Sequence, residues 1–286
     1  MKLVGLICDL KFTRHPIQLS YYHSITSLYQ NVKDVKNVKD LDDIELLFIG
    51  DEHFGPNNII WKNINFINKC NELNIKVIVF NNERIMDSFF PWNVQNQEYV
   101  NKFNNLYQYV SDIDDVIKLN KKFNRMPPSK FLKNVIGDIE VSNKLNKAVF
   151  IGNTSGNSYA ERRKILQDIN QIIEVDIIKT DNNRNWENYV KKMAEYRFVI
   201  SPLGNAHFFP MRFYEILLAR SIPIQQIKSN TLDYYDIESK FDDCIFFENI
   251  EELKDKIDNF KLNYSHNMLW QEDNIENLLT GDNLLL

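Results

Sequence analysis

The chain has 286 residues, 44% of them hydrophobic, which is enough for two domains that each bury a core. A net charge of −5 and a pI near 5.6 exclude an extended nucleic-acid surface. The three cysteines, Cys8, Cys70 and Cys244, are scattered, so they spell neither a disulfide framework nor a zinc knuckle, and a reducing cytoplasmic setting is expected.

The first apolar run soon meets Asp9 and Lys11, so Leu3 to Cys8 reads as a first strand rather than a signal peptide or anchor. No later window reaches membrane-spanning length. Strands are predicted at Ile44 to Ile49 and Lys76 to Phe80, and helices near Ile17 to Gln30, Asn57 to Leu73 and Glu98 to Val110. That alternation is a Rossmann-like βα repeat. The strand ending at Ile49 delivers Gly50-Asp51-Glu52-His53-Phe54-Gly55 to the carboxyl edge of the sheet. Asp51, Glu52 and His53 are therefore candidate catalytic groups, Asp51 first because it leaves the strand directly. A solvated acidic turn is the other reading, and Asp9 and His15 are further candidates. In Phe89 to Val94, Trp92 either packs or lies against a ligand ring.

Arg125-Met126-Pro127-Pro128-Ser129 is the linker candidate, because paired prolines block both helix and sheet. Beyond it, strands are predicted at 148–151, 174–178, 197–201, 222–227 and 244–248, separated by helices. The loop from Gly152 to Asn157 leads into a helix read as capped by Ser158 with Glu161 completing a capping box. Arginines in the first turn of such a helix suit a phosphate, which marks Asn153, Thr154 and Arg163 as ligand candidates; Arg162 is read as solvated beside Glu161. The loop lacks Gly-Lys-Ser/Thr, so it is no Walker motif.

The stretch 195–224, EYRFVISPLGNAHFFPMRFYEILLARSIPI, carries the most information. Phe198 to Ile200 form a buried strand closed by Ser201 and Pro202, and Gly204 and Asn205 tolerate a sharp turn. Pro210 suits the first turn of the next helix, which has Met211, Tyr214, Leu217 and Leu218 as its apolar stripe. Arg212 and Glu215, three apart, point together. They form either a surface ion pair or a site in which Arg212 meets an anion and Glu215 a sugar diol. Pro223 is read as ending that helix before a strand at Ile222 to Ile227. His207 and His266 are assigned to packing, with phosphate contact the alternative for His207.

These matches, Pro202, Gly204, Arg212, Glu215, Ile222 and Pro223, resemble the exostosin-type glycosyltransferases. Phe150, Gly152, Arg163 and Leu166 match that family's upstream loop. Asn205, Arg220 and Ser221 depart from its usual Asp, Gly and Cys. The resemblance covers about a hundred residues of the second half. It implies a GT-B α/β fold, with two Rossmann-like domains facing a cleft and a C-terminal helix, Ser265 to Leu279, crossing back. The expected division is 1–126 for the acceptor domain, 127–264 for nucleotide-sugar binding and 265–286 for the returning helix. It further implies a UDP-sugar donor, a carbohydrate acceptor and inversion, with Glu215 on the ribose and Arg212 on the diphosphate. Asp112-Ile113-Asp114 spells the Asp-x-Asp of metal-dependent transferases, but its setting after Ser111 fits helix capping, so no essential metal or other cofactor is expected.

Overall fold

The computed structural model describes residues 3–7, 25–26, 29, 31–49, 60–81, 97–110, 143–180, 186–203, 211–228 and 244–260. The chain divides into two units, Met1–Leu132 with Trp270–Leu286, and Lys133–Leu269. The predicted linker at 125–129 and the predicted helix at 265–279 lie outside the described residues.

The first unit holds β1 (Leu3–Ile7), β2 (Val32–Asp34), β3 (Ile44–Ile49), β4 (Lys76–Asn81) and β5 (Leu106–Val110), ordered β2-β1-β3-β4-β5. Every pairing is parallel. A parallel sheet covered on both faces needs continuous apolar strands, and Leu46, Leu47, Phe48 and Ile49 of β3 are buried in succession. Helix α1 (Ile64–Glu72) starts where the Asn63 side chain accepts from the Asn65 amide. It buries Phe66, Ile67 and Cys70 among Leu47, Ile49, Val77 and Val79. Asn74 ends it in the left-handed region, φ 51°, with Ile75 N bonded to Cys70 O at 2.9 Å.

Several predicted elements change here. The helix expected over Glu98 to Val110 is a helical turn at 97–100 followed by β5. Leu106-Tyr107-Gln108-Tyr109-Val110 has strand-forming composition, and the edge of β4 supplies the partner that a local pattern cannot reveal. Asn71 anchors the connection by donating to Lys102 O and accepting from Asn104 N. Strand β2 was not anticipated, because three residues with Lys33 exposed show no usable pattern. The helix expected over 57–73 is the 3-10 turn Ile60–Lys62 followed by α1. Of the helix expected over 17–30, residues 25 and 26 are helical, and Tyr29 N bonds Ile25 O at 3.0 Å.

The second unit holds β6 (Leu145–Ile151), α2 (Ala160–Ile169), β7 (Val175–Ile178), α3 (Trp186–Ala194), β8 (Tyr196–Ser201), α4 (Met211–Leu218), β9 (Ile222–Gln226), β10 (Ile245–Phe247) and α5 (Ile250–Asn259). Its parallel sheet runs β10-β9-β8-β6-β7. Both sheets share one winding, in which the chain steps outward from the first strand and then returns to build the other side. One face packs Phe150, Phe198, Ile200, Ile222, Ile224 and Phe247 against Leu166 and Ile169 of α2 and Leu253 of α5. Alternate residues such as Ser201, Gln225 and Phe246 face the opposite side, where Phe213 of α4 meets Phe246 at 5.9 Å between ring centres.

Helix α4 is stopped by Arg220 rather than by Pro223. Arg220 takes φ 52°, with its N–H on Leu217 O at 2.9 Å and Ser221 N on Ile216 O at 3.2 Å. That double bond pattern satisfies the helix's last carbonyls and suits glycine best, the residue the exostosin pattern has there. Pro223 sits inside β9, ahead of the β9–β10 ladder, which starts at Ile224. A proline without an N–H is tolerated at such a strand start.

Candidate functional site

In an open parallel sheet, ligands bind outside the carboxyl ends of the strands, at the point where the winding reverses. In the second unit that point lies between β6 and β8, whose ends lead to Gly152 and Pro202.

Phe150, Ile151 and Gly152 are buried at the end of β6, and Gly152 N extends the ladder to Ile178 O at 2.9 Å. A Cβ at 152 would stand 2.8 Å from Phe150 Cζ and 3.1 Å from Arg212 Nη2, so close approach requires the glycine. Arg212 comes from the first turn of α4, on one side of the sheet. Arg162 comes from the first turn of α2, on the other. Their guanidinium carbons lie 5.0 Å and 5.7 Å from the centre of the Phe150 ring. Arg212 Nε donates to the hydroxyl of Tyr189, on α3, at 3.1 Å. Arg162 rests 4.7 Å from the Tyr159 ring centre and donates from Nη1 to Asn153 O at 3.0 Å. Burial first, and then the Arg212 charge, disfavour the charged form of Arg162. Two cations gathered at one strand end favour an anion there.

The other predicted residues divide. Arg163 Nη1 donates to Thr154 O at 2.7 Å and Gly156 O at 2.6 Å, so it clasps the loop from within. Asn153 is exposed, and its side chain accepts from Ser155 N at 2.9 Å. Tyr159, the last residue of the 3-10 turn Asn157–Tyr159, rather than Ser158, occupies the cap position of α2 and makes no side-chain cap bond. Arg162, read from the sequence as solvated, is the arginine that reaches Phe150. Its spacing matched no motif, and only the packing of Phe150 reveals it.

Ser201 and Pro202 are buried at the end of β8. Ser201 Oγ and, at the paired position of β9, Gln225 Oε1 have no hydrogen-bond partner among the described residues. Gln226 Oε1 holds the start of the next loop through Leu203 N at 3.0 Å. Glu215, one turn beyond Arg212, is only 2% exposed, so it is an interior carboxylate and not part of a solvated surface pair. Gly204 and Asn205 lie outside the described residues, as do Asp51, Glu52, His53, Asp9, His15, Trp92, Asp112, Asp114, His207 and His266. Among the described residues no group of three or more His, Cys, Asp or Glu could hold a metal, and no helix is long and apolar enough to cross a membrane.

No family model matches the sequence, and no curated protein sequence does. Solved structures match instead. Anabaena HepE, solved in complex with UDP, is 9% identical and aligns over 100% of both chains with a TM-score of 0.58. An alpha1,3-fucosyltransferase solved with GDP-fucose is 12% identical, over 98% of this chain and 81% of that one, with a TM-score of 0.47.

The fold is GT-B. In this GT-B chain the two helices that frame the Arg212 side of the site are also tied at their far ends. Lys144 Nζ donates to Ala194 O at 2.7 Å, Ala219 O at 3.1 Å and Ser221 Oγ at 3.0 Å. One ammonium thus satisfies the last carbonyl of α3 and the carbonyl just past the end of α4. Burial, and next the Arg220 charge, pull its pKa down to about 8.

Proposed function

We propose that this GT-B protein is a glycosyltransferase that moves a sugar from a nucleoside-diphosphate donor, a UDP-sugar, to a carbohydrate hydroxyl. The observation that carries the reading is the placement of Arg212, 5.0 Å from the Phe150 ring centre and beside Gly152 at the winding reversal of the second sheet. A fixed guanidinium there offsets the negative charge that develops on a departing diphosphate. Glu215 is proposed to accept hydrogen bonds from the ribose hydroxyls once the donor displaces what covers it, with Gly204 and Asn205 turning the loop around the nucleotide. The UDP bound to HepE supports uridine as the base.

In the proposed reaction the acceptor oxygen attacks the anomeric carbon, the carbon–oxygen bond to the diphosphate breaks, and the acceptor proton passes to a base. Asp51 is proposed as that base, with Glu52 and His53 beside it. Its support is position: it follows β3, one of the two strands flanking the winding reversal of the first sheet. The exostosin-like kinship, inversion, the lack of a metal requirement and a cytoplasmic setting belong to the same proposal. The test is release of nucleoside diphosphate when the protein is mixed with UDP-sugars and oligosaccharide acceptors. Release of GDP from a GDP-sugar instead would change the donor, and no nucleotide binding in a thermal-shift panel would remove the reading.

A further inference from the structure

We infer that Arg162 is a second ligand of the donor diphosphate, meeting it from the side of the sheet opposite to Arg212. The inference rests on the nucleotide-sugar reading above, but its grounds are separate. Helices α2 and α4 cover opposite faces of the sheet, and the carboxyl edge between β6 and β8 is where side chains from both can converge. Phe150, fully buried at that edge, carries Arg212 and Arg162 against one ring.

The neighbouring arginine uses its guanidinium differently in this loop. Arg163 spends its Nη1 on two loop carbonyls. Arg162 spends Nη1 on one, and its Nε is buried with no hydrogen-bond partner among the described residues. A buried N–H in that state is costly, and a structural arginine normally avoids it. No carboxylate forms an ion pair with Arg162 or Arg212 among the described residues. Among the described residues nothing anionic offsets the mutual repulsion of the two guanidiniums, and a bound anion would. A diphosphate has charge on both phosphorus centres and oxygens at both ends, so each guanidinium can take one end with paired hydrogen bonds. A nucleoside offers neither.

Calorimetric titration with UDP and with uridine tests this, using GDP and guanosine if UDP does not bind. For Arg162→Gln we expect at least a tenfold loss of diphosphate affinity with unchanged nucleoside affinity. Arg162→Lys, which keeps the charge but not the planar fork, should lose at least threefold and serves if the Gln variant does not fold. Wild-type diphosphate affinity in whichever variant folds overturns the inference, as does an equal loss for nucleoside and nucleotide, which marks a structural role. If the unmodified protein binds neither diphosphate, the nucleotide-sugar reading itself fails; binding that ignores Arg162 sinks this inference alone.

Discussion

Arg212 Nε donates to the Tyr189 hydroxyl at 3.1 Å, which joins the start of α4 to α3. With Nε engaged there and the guanidinium carbon 5.0 Å from the Phe150 ring centre, Nη2 reaches toward Gly152. Orientation of the cation is thus set from two places, Tyr189 on α3 and the Phe150–Gly152 end of β6. Tyr189→Phe keeps the buried ring and removes the acceptor. We expect UDP affinity to fall roughly 3–10-fold, on the order of 1 kcal/mol, with little change in melting temperature. Calorimetry decides it, and unaltered affinity would show that the Phe150 contact orients Arg212 unaided.

Gly152→Ala tests the close approach. The added methyl would lie 2.8 Å from Phe150 Cζ, and that ring is fully buried with little room to yield. Destabilisation of about 1–3 kcal/mol is expected, together with weakened donor binding. Urea unfolding measures the first and titration the second; a variant as stable as the parent would mean that the ring moves freely.

Glu215→Ala separates an interior carboxylate from a ribose ligand. Loss of a charged hydrogen bond to the donor should weaken nucleotide binding by about 1–3 kcal/mol. Binding of a 2′,3′-dideoxy analogue should change far less, and equal losses for both ligands count against the ribose role. For Asp51→Asn, donor binding should persist while transfer is lost, which single-turnover product analysis reads directly.

Arg220 holds a left-handed backbone, φ 52°, at the end of α4. Glycine adopts those angles without a Cβ penalty, so Arg220→Gly should stabilise the protein by about 1 kcal/mol. The denaturation midpoint checks this, and a fall would show that the Arg220 side chain contributes more than its backbone costs.

Lys144 gives a pH dependence of defined sign. Its folded pKa of about 8 lies below the unfolded value, so between the two the unfolded chain binds more protons. Stability from this group therefore rises with pH above about 8, and below that its penalty is constant. The stability difference between the parent and Lys144→Met, measured by urea unfolding at successive pH values from 7 to 10, should shift toward the parent. A shift the other way means that the carbonyls around Nζ hold the charge more firmly than burial opposes it.

The βα alternation was legible in the sequence because buried parallel strands are continuous apolar runs, as in Leu46 to Ile49 and Phe198 to Ile200. Arg212 and Glu215 stood out for a similar reason: helical spacing is a local property. β5 was misread and β2 missed, since an edge strand forms where a neighbour's hydrogen bonds await it, and that neighbour lies elsewhere in the chain.

Residue order by itself therefore determined two α/β halves, the strand–loop–helix at 195–224 and the glycine at 152. Tertiary structure alone decided which arginine faces which partner. Arg162 and Arg163 are adjacent in sequence, yet helical geometry turns one toward Phe150 and the other into the Gly152 to Asn157 loop. Likewise, Lys144 and Tyr189 acquire their roles only when α3 and α4 pack side by side, because hydrogen bonds between distant segments leave no trace in local periodicity.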